Sequence, residues 1–201
     1  MTSYATTAAR RPARPRTAAA AVRALIFAVA LGAAGRPAAA QQPADAPPPA
    51  DPADVASIDA IIAALYDVIS GPAGQARDWD RFRSLFVPGA RLIPVAVPRD
   101  GGPARTRMAS VERYIARSGP IMLERGFFER EISRKVERFG HIAHVFSTYA
   151  SYWKEDDAEP FARGINSIQL MHDGDRWWVV TIFWDSERPG QPIPAEYLSG
   201  N

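Results

Sequence analysis

Polar side chains on the predicted C-terminal strands are the residues of this sequence best placed to bind a small molecule. Arg130 and Arg134 lie on one strand at positions of equal parity, and side chains of equal parity share a face. Two guanidinium groups on one face could hold a carboxylate or another anionic group. Tyr149 and Asn166, on the following strands, could orient it. The pattern predicts a site for a small amphipathic or anionic molecule.

A second interpretation of the arginines needs no ligand. A buried guanidinium is costly without a partner, and acidic residues are available at helix ends and along the predicted rim, namely Glu124, Glu131 and Asp67. This interpretation is favoured because surface ion pairs are common and contribute little energy.

The predicted ligand-binding set is Arg130, Arg134, Tyr149, Asn166, Thr181 and Tyr66. Trp79 and Phe86 could also line the site, although aromatic residues at these spacings are more often plain core.

No carboxylate is predicted to point into this site from the middle of a strand. Glu129 and Glu131 have the opposite parity to Arg130 and are expected on the solvent-facing side of the sheet. Asp185 has suitable parity but lies at the end of its strand. Because proton abstraction needs a base within reach of the substrate, the predicted site lacks a general base.

The sequence contains few residues or motifs that would support metal, cofactor or covalent chemistry. The chain has no cysteine, which excludes disulfides, thiolate zinc sites and cysteine nucleophiles. Its three histidines, His141, His144 and His172, are predicted at two turns and on an outer strand face, too far apart to share a metal. No P-loop, nucleophile elbow or dinucleotide fingerprint is present. We therefore expect neither a metal nor a cofactor.

Three helices are predicted first, from apolar residues at i, i+3, i+4 and i+7 spacing. Asp54 would cap the first helix, and Gly71-Pro72 would stop it. The second would run over about 78–88 and be followed by a strand over 90–97. The third would begin at Ser110, be interrupted at Gly119-Pro120 and end at Gly126.

From Phe127 onward the hydrophobic period becomes two, and turns follow at regular intervals. Strands are predicted over 127–139, 142–153, 161–171 and 176–185. Pairing of Phe139 with Ile142 and of Leu170 with Trp177 would set the register and thereby the two faces. Helices followed by an antiparallel meander indicate the α+β class.

The last strand is apolar on both faces, although a sheet covered by helices on one side needs only one apolar face. Its second face would carry Trp178, Val180, Ile182 and Trp184. This patch predicts a homodimer surface. The alternative is that the C-terminal tail, residues 191–201, folds back over the patch.

The first forty residues differ from the rest and have the pattern of a signal peptide. An arginine-rich start, an apolar stretch and Ala38-Ala39-Ala40 before Gln41 predict cleavage and a periplasmic or secreted location. The uncharged run 24–35 is far shorter than the roughly 20 residues that a bilayer requires. Residues 41–53, with five prolines, would be an extended linker to a domain at 54–190.

Charge argues against nucleic-acid or anionic-membrane partners. The formal net charge is +2, but six arginines and no acidic residue lie before residue 41. The remainder has 18 basic and 22 acidic residues, a net charge of −4. The predicted mature protein therefore lacks a general attraction for polyanions.

Three segments carry a resemblance to the nuclear-transport-factor-2-like (NTF2-like) superfamily, which includes SnoaL-like cyclases and ketosteroid isomerase. They are Asp78-Trp79-Asp80-Arg81-Phe82 leading to Pro88-Gly89-Ala90-Arg91-Leu92, the stretch 163–170, and Gly174-Asp175-Arg176-Trp177-Trp178 leading to Phe183-Trp184-Asp185. The resemblance implies an exported bacterial member with a curved antiparallel sheet wrapped around N-terminal helices, forming a cone with an internal pocket.

Members of this superfamily include enzymes, binders and dimerising modules, so the fold does not settle the function. The preferred expectation is a non-catalytic domain that binds a small molecule or dimerises. The alternative is a cofactor-free lyase, cyclase or isomerase acting on a small hydrophobic substrate. Catalysis would require an acid or base of shifted pKa pointing into the pocket, whereas a lining of only Arg, Tyr, Asn, Thr and apolar groups would favour the binder.

Overall fold

A computed structural model describes residues 46–98 and 102–199 of this chain. The predicted signal peptide and the first five residues of the predicted linker lie outside these ranges, so export stays a prediction. Within the described part of the chain, none of the helices has the length and apolar character needed to cross a membrane.

Four α-helices are described, and side chains cap their N-termini. Helices α1 (Pro52–Val55), α2 (Ile58–Ile69), α3 (Trp79–Ser84) and α4 (Val111–Arg125) are capped by Asp51, Ser57, Asp78 and Ser110. Each capping oxygen accepts a hydrogen bond from a backbone N–H left free in the first turn. Ser110 caps α4 as predicted, and α3 starts at about residue 78 as predicted, with Asp78 as its cap. Helix α1 begins before the predicted domain boundary at residue 54.

Three helix predictions are wrong. Helix α3 ends at Ser84, and a strand begins at Phe86, within the segment 78–88 that was predicted to be helical. Asp54 does not cap α2, because its carboxylate pairs with Arg81 at 2.7 Å. Helix α4 continues through Gly119-Pro120 without interruption and ends at Gly126, where φ is +75°. A proline inside a helix removes a single backbone donor, and the turn that follows is held by Met122, which is buried in the core.

Six strands form one curved sheet in the order β2-β1-β6-β5-β4-β3. Their bounds are β1 Phe86–Ala96, β2 Arg105–Thr106, β3 Phe128–Phe139, β4 Ile142–Tyr152, β5 Ala162–His172 and β6 Trp177–Ser186. The four strands predicted from Phe127 onward agree to within one residue at each end. All neighbours are antiparallel except β1 and β6, which run parallel. The α+β prediction is confirmed.

Two β-bulges change which side chains share a face. In β3, Glu131 pairs with Tyr149 and Ser133 with Thr148, so Ile132 is an extra residue. In β6, Val179 pairs with Leu170 and Thr181 with Gln169, so Val180 is extra. An extra residue reverses the alternation of side chains beyond it.

One of the two predicted pairings is observed, and the predicted faces hold on only one side of each bulge. Phe139 pairs with Ile142 as expected, but His172, not Leu170, pairs with Trp177. Beyond the bulges, the side chains expected inside lie outside and those expected outside lie inside.

The inner face of the sheet packs against α2 in a continuous apolar core. Ile61 and Ile62 of the helix are fully buried, as are Val145 and Val179 of the sheet. Phe86, predicted to line a pocket, is 1% exposed and belongs to this core. Trp79 packs against the core with its ring edge-on to Phe82, the centroids 5.7 Å apart.

The C-terminal segment lies on the outer face of the sheet. The hydroxyl of Thr148 donates to the backbone oxygen of Tyr197 at 2.6 Å, and the Tyr197 ring meets Phe146 edge-on with centroids 5.0 Å apart. Ile193, in the same segment, is buried. Chain folded back from residue 192 onward therefore covers part of the outer face.

The four residues of the predicted dimer patch do not form one surface. Ile182 and Trp184 line the internal cavity, whereas the ring of Trp178 lies outside under Arg176, with the guanidinium carbon 3.6 Å from the ring centroid. The bulge at Val180 separates the two pairs. The prediction that these four residues form a single apolar face is therefore wrong, and homodimerisation itself stays a prediction.

Candidate functional site

A cavity of about 300 Å³ lies inside the cone, between α2, α4 and the inner face of the sheet. Apolar side chains from the helices and strands form most of its wall. Its polar lining residues are Tyr66, Tyr114, Ser118, Glu129, Tyr149, Ser151, Asn166 and Ser186. Small, largely apolar cavities with a few placed polar groups are the usual form of small-molecule sites.

Glu129 is the acidic residue among the described residues that line this cavity. Its carboxylate accepts a hydrogen bond from the hydroxyl of Ser151 at 2.8 Å, and Asn166 also hydrogen-bonds it. Burial raises the pKa of Glu129 to about 7, although these two hydrogen bonds oppose the rise. The cavity therefore holds a carboxyl group that is half ionised near neutral pH, as a general base requires.

The bulge at Ile132 places Glu129 inside. Without the extra residue, Glu129 would have the outward parity that simple alternation predicts. The sequence carries no glycine at this point to mark an irregular strand. Sequence reasoning missed this residue because the run from Glu129 to Glu137 has the alternation of an ordinary half-exposed strand.

Asn166, which hydrogen-bonds Glu129, is also in contact with Tyr66. The Asn166 Nδ2 donates to the Tyr66 hydroxyl oxygen at 3.2 Å, and Tyr66 lies 2.6 Å from the Oγ of Ser147. Burial and the nearby charge of Glu129 raise the pKa of Tyr66 above its ordinary value, so it is a neutral phenol.

Two further phenols face the cavity. Tyr149 lies 3.1 Å from the Oγ of Ser186, and burial raises the pKa of Tyr149 to about 12. Burial also raises the pKa of Tyr114, whose hydroxyl bonds Ser118 one helical turn away. Neutral phenols are hydrogen-bond donors suited to a carbonyl oxygen.

The cavity brings together only three of the six predicted ligand-binding residues. Tyr66, Tyr149 and Asn166 line it. Thr181 does not, because the bulge at Val180 turns it to the outer face, opposite Gln169.

Neither predicted arginine points into the cavity. Arg130 lies beyond the bulge, donates to the backbone oxygen of Glu155 and stacks on Tyr152. Arg134 donates to Glu131 at 2.9 Å and to Asp59 at 2.8 Å. Ion pairing of both arginines with acidic residues such as Glu131 was the favoured interpretation, and it is observed for Arg134 but not for Arg130.

Charged and metal-binding groups are otherwise scarce around the cavity. Within residues 46–98 and 102–199, the lining includes no Arg, Lys or His side chain. The same ranges contain no group of three or more His, Asp or Glu residues able to hold a metal ion. His141 and His172 were predicted far apart, but they lie at the same end of the sheet with ring centroids 6.4 Å apart.

Several solved structures are similar to this chain. An NTF2-like protein of unknown function from Silicibacter pomeroyi is 17% identical, with 66% of this chain and 94% of that chain covered and a TM-score of 0.45. A proposed dehydratase of the NTF2-like family from Streptomyces avermitilis is 15% identical, with coverage of 71% and 97% and a TM-score of 0.47. A proposed ketosteroid isomerase from Parabacteroides distasonis is 12% identical, with coverage of 66% and 90% and a TM-score of 0.44.

The chain has an NTF2-like fold. The resemblance inferred from the sequence is thus confirmed at the level of fold, and at these identities the similarity concerns the fold alone. No protein-family model matches the sequence, and no curated protein matches it. The activity must therefore be argued from the side chains of the NTF2-like cavity itself.

Proposed function

We propose that this protein is a cofactor-independent isomerase or lyase that removes a proton from a small, neutral, largely apolar substrate. The observation that carries the proposal is Glu129, a carboxyl group in an apolar cavity whose pKa is raised to about 7 by burial. An acid or base of shifted pKa inside the pocket is the feature that separates a catalytic site from a mere binding site.

Glu129 would act as the general base. In its ionised form it would take a proton from a carbon next to a carbonyl group, and the negative charge would move to the carbonyl oxygen. That oxygen needs donors in a dry environment. Tyr149 is suited to this role, because Ser186 can donate to the phenol oxygen and leave the phenol hydrogen free for the substrate.

The lining also restricts the substrate. A cavity of about 300 Å³ accommodates a molecule with roughly one or two rings. An anionic ligand would meet the carboxylate of Glu129 without a positive charge among the described lining residues, which is unfavourable in an apolar site. A neutral carbonyl compound therefore fits better than the anionic molecule expected from the arginines.

Binding without chemistry is the second candidate, and one observation favours it. Among the described residues, every buried side-chain nitrogen and oxygen already has a hydrogen-bond partner within the protein. A site of this kind is stable when empty and could serve as a receptor for an apolar molecule. The position of Glu129 is unexplained by this candidate.

Deuterium exchange tests the proposed reaction without knowledge of the substrate. The protein would be incubated in D₂O at pH 8 with a panel of small neutral ketones, and deuterium uptake next to the carbonyl group would be followed by NMR. We expect uptake above the buffer rate with the wild type, and none with Glu129→Gln.

The matched control is Glu112→Gln. Glu112 is a carboxylate that lies outside the cavity lining, where it pairs with Arg83 at 2.6 Å. This variant should retain the wild-type exchange rate. Exchange that is equal in wild type and Glu129→Gln would overturn the proposed function.

A further inference from the structure

A chain of hydrogen bonds connects the cavity to an ion pair outside it. Asn166 contacts the Tyr66 hydroxyl at 3.2 Å, Tyr66 contacts Ser147 at 2.6 Å, and Ser147 donates to the Oε1 of Glu131 at 2.5 Å. Arg134 then binds the other carboxylate oxygen of Glu131. Ser147 and Glu131 are not among the residues that line the cavity.

The donor and acceptor of each hydrogen bond in this series follow from Glu131, the residue at its outer end. The carboxylate of Glu131, paired with Arg134, can only accept. The single hydrogen of Ser147 is therefore committed to Glu131, and the Ser147 oxygen must accept the hydrogen of Tyr66. The Tyr66 oxygen is then left to accept from Asn166, which requires that the amide nitrogen of Asn166 face Tyr66.

This direction fixes the amide group of Asn166. An asparagine side chain can present either its nitrogen or its oxygen to a neighbour by turning over. With the nitrogen held towards Tyr66, the second N–H of the same group is available for Glu129, which it hydrogen-bonds. The reversed amide would put an oxygen against the carboxylate and favour the protonated acid.

We propose that Glu131 and Ser147 are positioning residues that act through Tyr66 to keep the Asn166 amide group with its N–H towards Glu129. The catalytic meaning of this role rests on the proposed function, since it concerns the same base. The positioning itself is a property of the folded protein and can be measured without a substrate.

Other titratable groups interact with Glu129 and must be considered when its pKa is measured. Three phenols have pKa values raised in part by the charge of Glu129, and they come from three different elements: Tyr66 of α2, Tyr114 of α4 and Tyr149 of β4. These phenols stay neutral across the pH range in which Glu129 titrates. Glu131 acts on Tyr66 through its charge as well, which is why the test removes the hydroxyl of Ser147 before the charge.

The experiment measures the pKa of Glu129 directly. The full chain would be labelled with ¹³C at glutamate side chains, and the Glu129 carboxyl signal, assigned by its loss in Glu129→Gln, would be titrated by NMR. Ser147→Ala breaks the chain and frees Tyr66 to donate to a turned Asn166. We expect the pKa of Glu129 to rise by about one unit, the usual effect of one hydrogen bond to a charged group.

Ser84→Ala is the matched control for this variant. Ser84 is as fully buried as Ser147, and its hydroxyl donates to the backbone oxygen of Arg81 at 2.7 Å, away from the cavity. It should leave the Glu129 titration unchanged. An unchanged titration in Ser147→Ala, or an equal shift in Ser84→Ala, would overturn the proposal.

Glu131→Gln provides a second test in case Ser147→Ala fails to fold. A glutamine can donate as well as accept, so the direction of the hydrogen-bond chain is no longer imposed, and the pKa of Glu129 should again rise relative to the wild type. Loss of the negative charge of Glu131 would by itself lower that pKa, so a rise reports on the Asn166 amide group. Glu112→Gln should leave the pKa of Glu129 unchanged. If these shifts are found but no ketone exchanges deuterium, the proposed function fails while the positioning chain stands.

Discussion

Ser151 of β4 donates a hydrogen bond to Glu129 of β3 at 2.8 Å, and the two residues are direct partners in the antiparallel ladder. The contact lies inside the cone because the bulge at Ile132 reverses which side chains face inward in the first part of β3, residues 128–131. Hydrogen bonds from Ser151 and Asn166 offset only part of the cost of burying a charge. Glu129 therefore keeps a pKa of about 7.

Glu129 should make the fold less stable as pH rises. Its pKa in the folded protein, about 7, exceeds its ordinary value of 4.5. Between these values the folded state binds more protons than the unfolded state, so stability falls as pH rises from about 4.5 to 7 and is then constant. The loss is at most about 3 kcal/mol.

Glu129→Gln should remove this loss. Urea denaturation of wild type and variant at pH 5 and pH 8 measures it. We expect the variant to gain stability relative to the wild type between the two pH values, whereas Glu112→Gln should show no such gain. A stability difference that is the same at both pH values would mean that Glu129 titrates normally.

Most element bounds could be predicted because local residues determine them. The end of α3 and the start of β1 could not, because Phe82, Leu85 and Phe86 continue the helical spacing. Gly140-His141 and Asp173-Gly174 mark turns, Asp78 and Ser110 mark helix starts, and the strands end where these signals fall. Such signals need no knowledge of the rest of the fold.

The lining could be predicted only in part, because it depends on two bulges that leave no local signal. Tyr66, Tyr149 and Asn166 lie on elements without a phase error and were placed correctly. Arg130 and Thr181 lie beyond the bulges and were placed on the wrong face. The same error hid Glu129, so the sequence predicted a lining without the carboxyl group of raised pKa that the cavity contains.

Gly164 should be required for the position of Tyr149. A methyl group at residue 164 would lie 2.5 Å from the Tyr149 hydroxyl oxygen and would overlap the backbone oxygen of Asp185. Glycine inside a strand often marks such a close approach. Gly164→Ala should therefore destabilise the fold by roughly 2 kcal/mol, as overpacking does.

The measurement is urea denaturation of the variant against wild type. The control is Ser167→Ala, in the same strand. The Oγ of Ser167 lies on the outer face and is hydrogen-bonded to the Nε2 of His144 at 3.0 Å, so its loss should cost under about 1 kcal/mol. A Gly164→Ala variant as stable as wild type would show that Tyr149 has room to move.

Arg77 should not tolerate lysine. Arg77 is 7% exposed, and its guanidinium donates to the backbone oxygens of Ile69, Gln75 and Gly71 at 2.8, 2.6 and 2.5 Å. Lysine lacks the planar group that reaches several acceptors at once. Arg77→Lys should cost about 2–4 kcal/mol, because buried carbonyl oxygens lose their donors.

Thermal unfolding followed by circular dichroism would measure this cost. The control is Arg91→Lys, since Arg91 lies at the surface and donates only to nearby backbone oxygens. Equal melting temperatures for Arg77→Lys and wild type would show that the guanidinium contacts do not stabilise the segment 69–77.

Removal of residues 191–201 should cause self-association. Pro192, Ile193 and Pro194 line a pocket on the outer face together with Phe146 and Phe183. The deletion uncovers this apolar surface and leaves the Thr148 hydroxyl without the Tyr197 carbonyl. Exposed apolar surface of this kind drives association, so light scattering should give a higher mass for the truncated protein than for the full chain at equal concentration.

Tyr197→Ala separates loss of the ring from loss of the whole segment. It removes the ring that contacts Phe146 and Lys135 but keeps the backbone oxygen that accepts from Thr148. Because the segment remains in place, association should increase much less than on truncation. If the full chain and the truncated protein have the same monomeric mass, the covered face has no tendency to pair. If both are already dimers, the dimer surface lies elsewhere than under this segment.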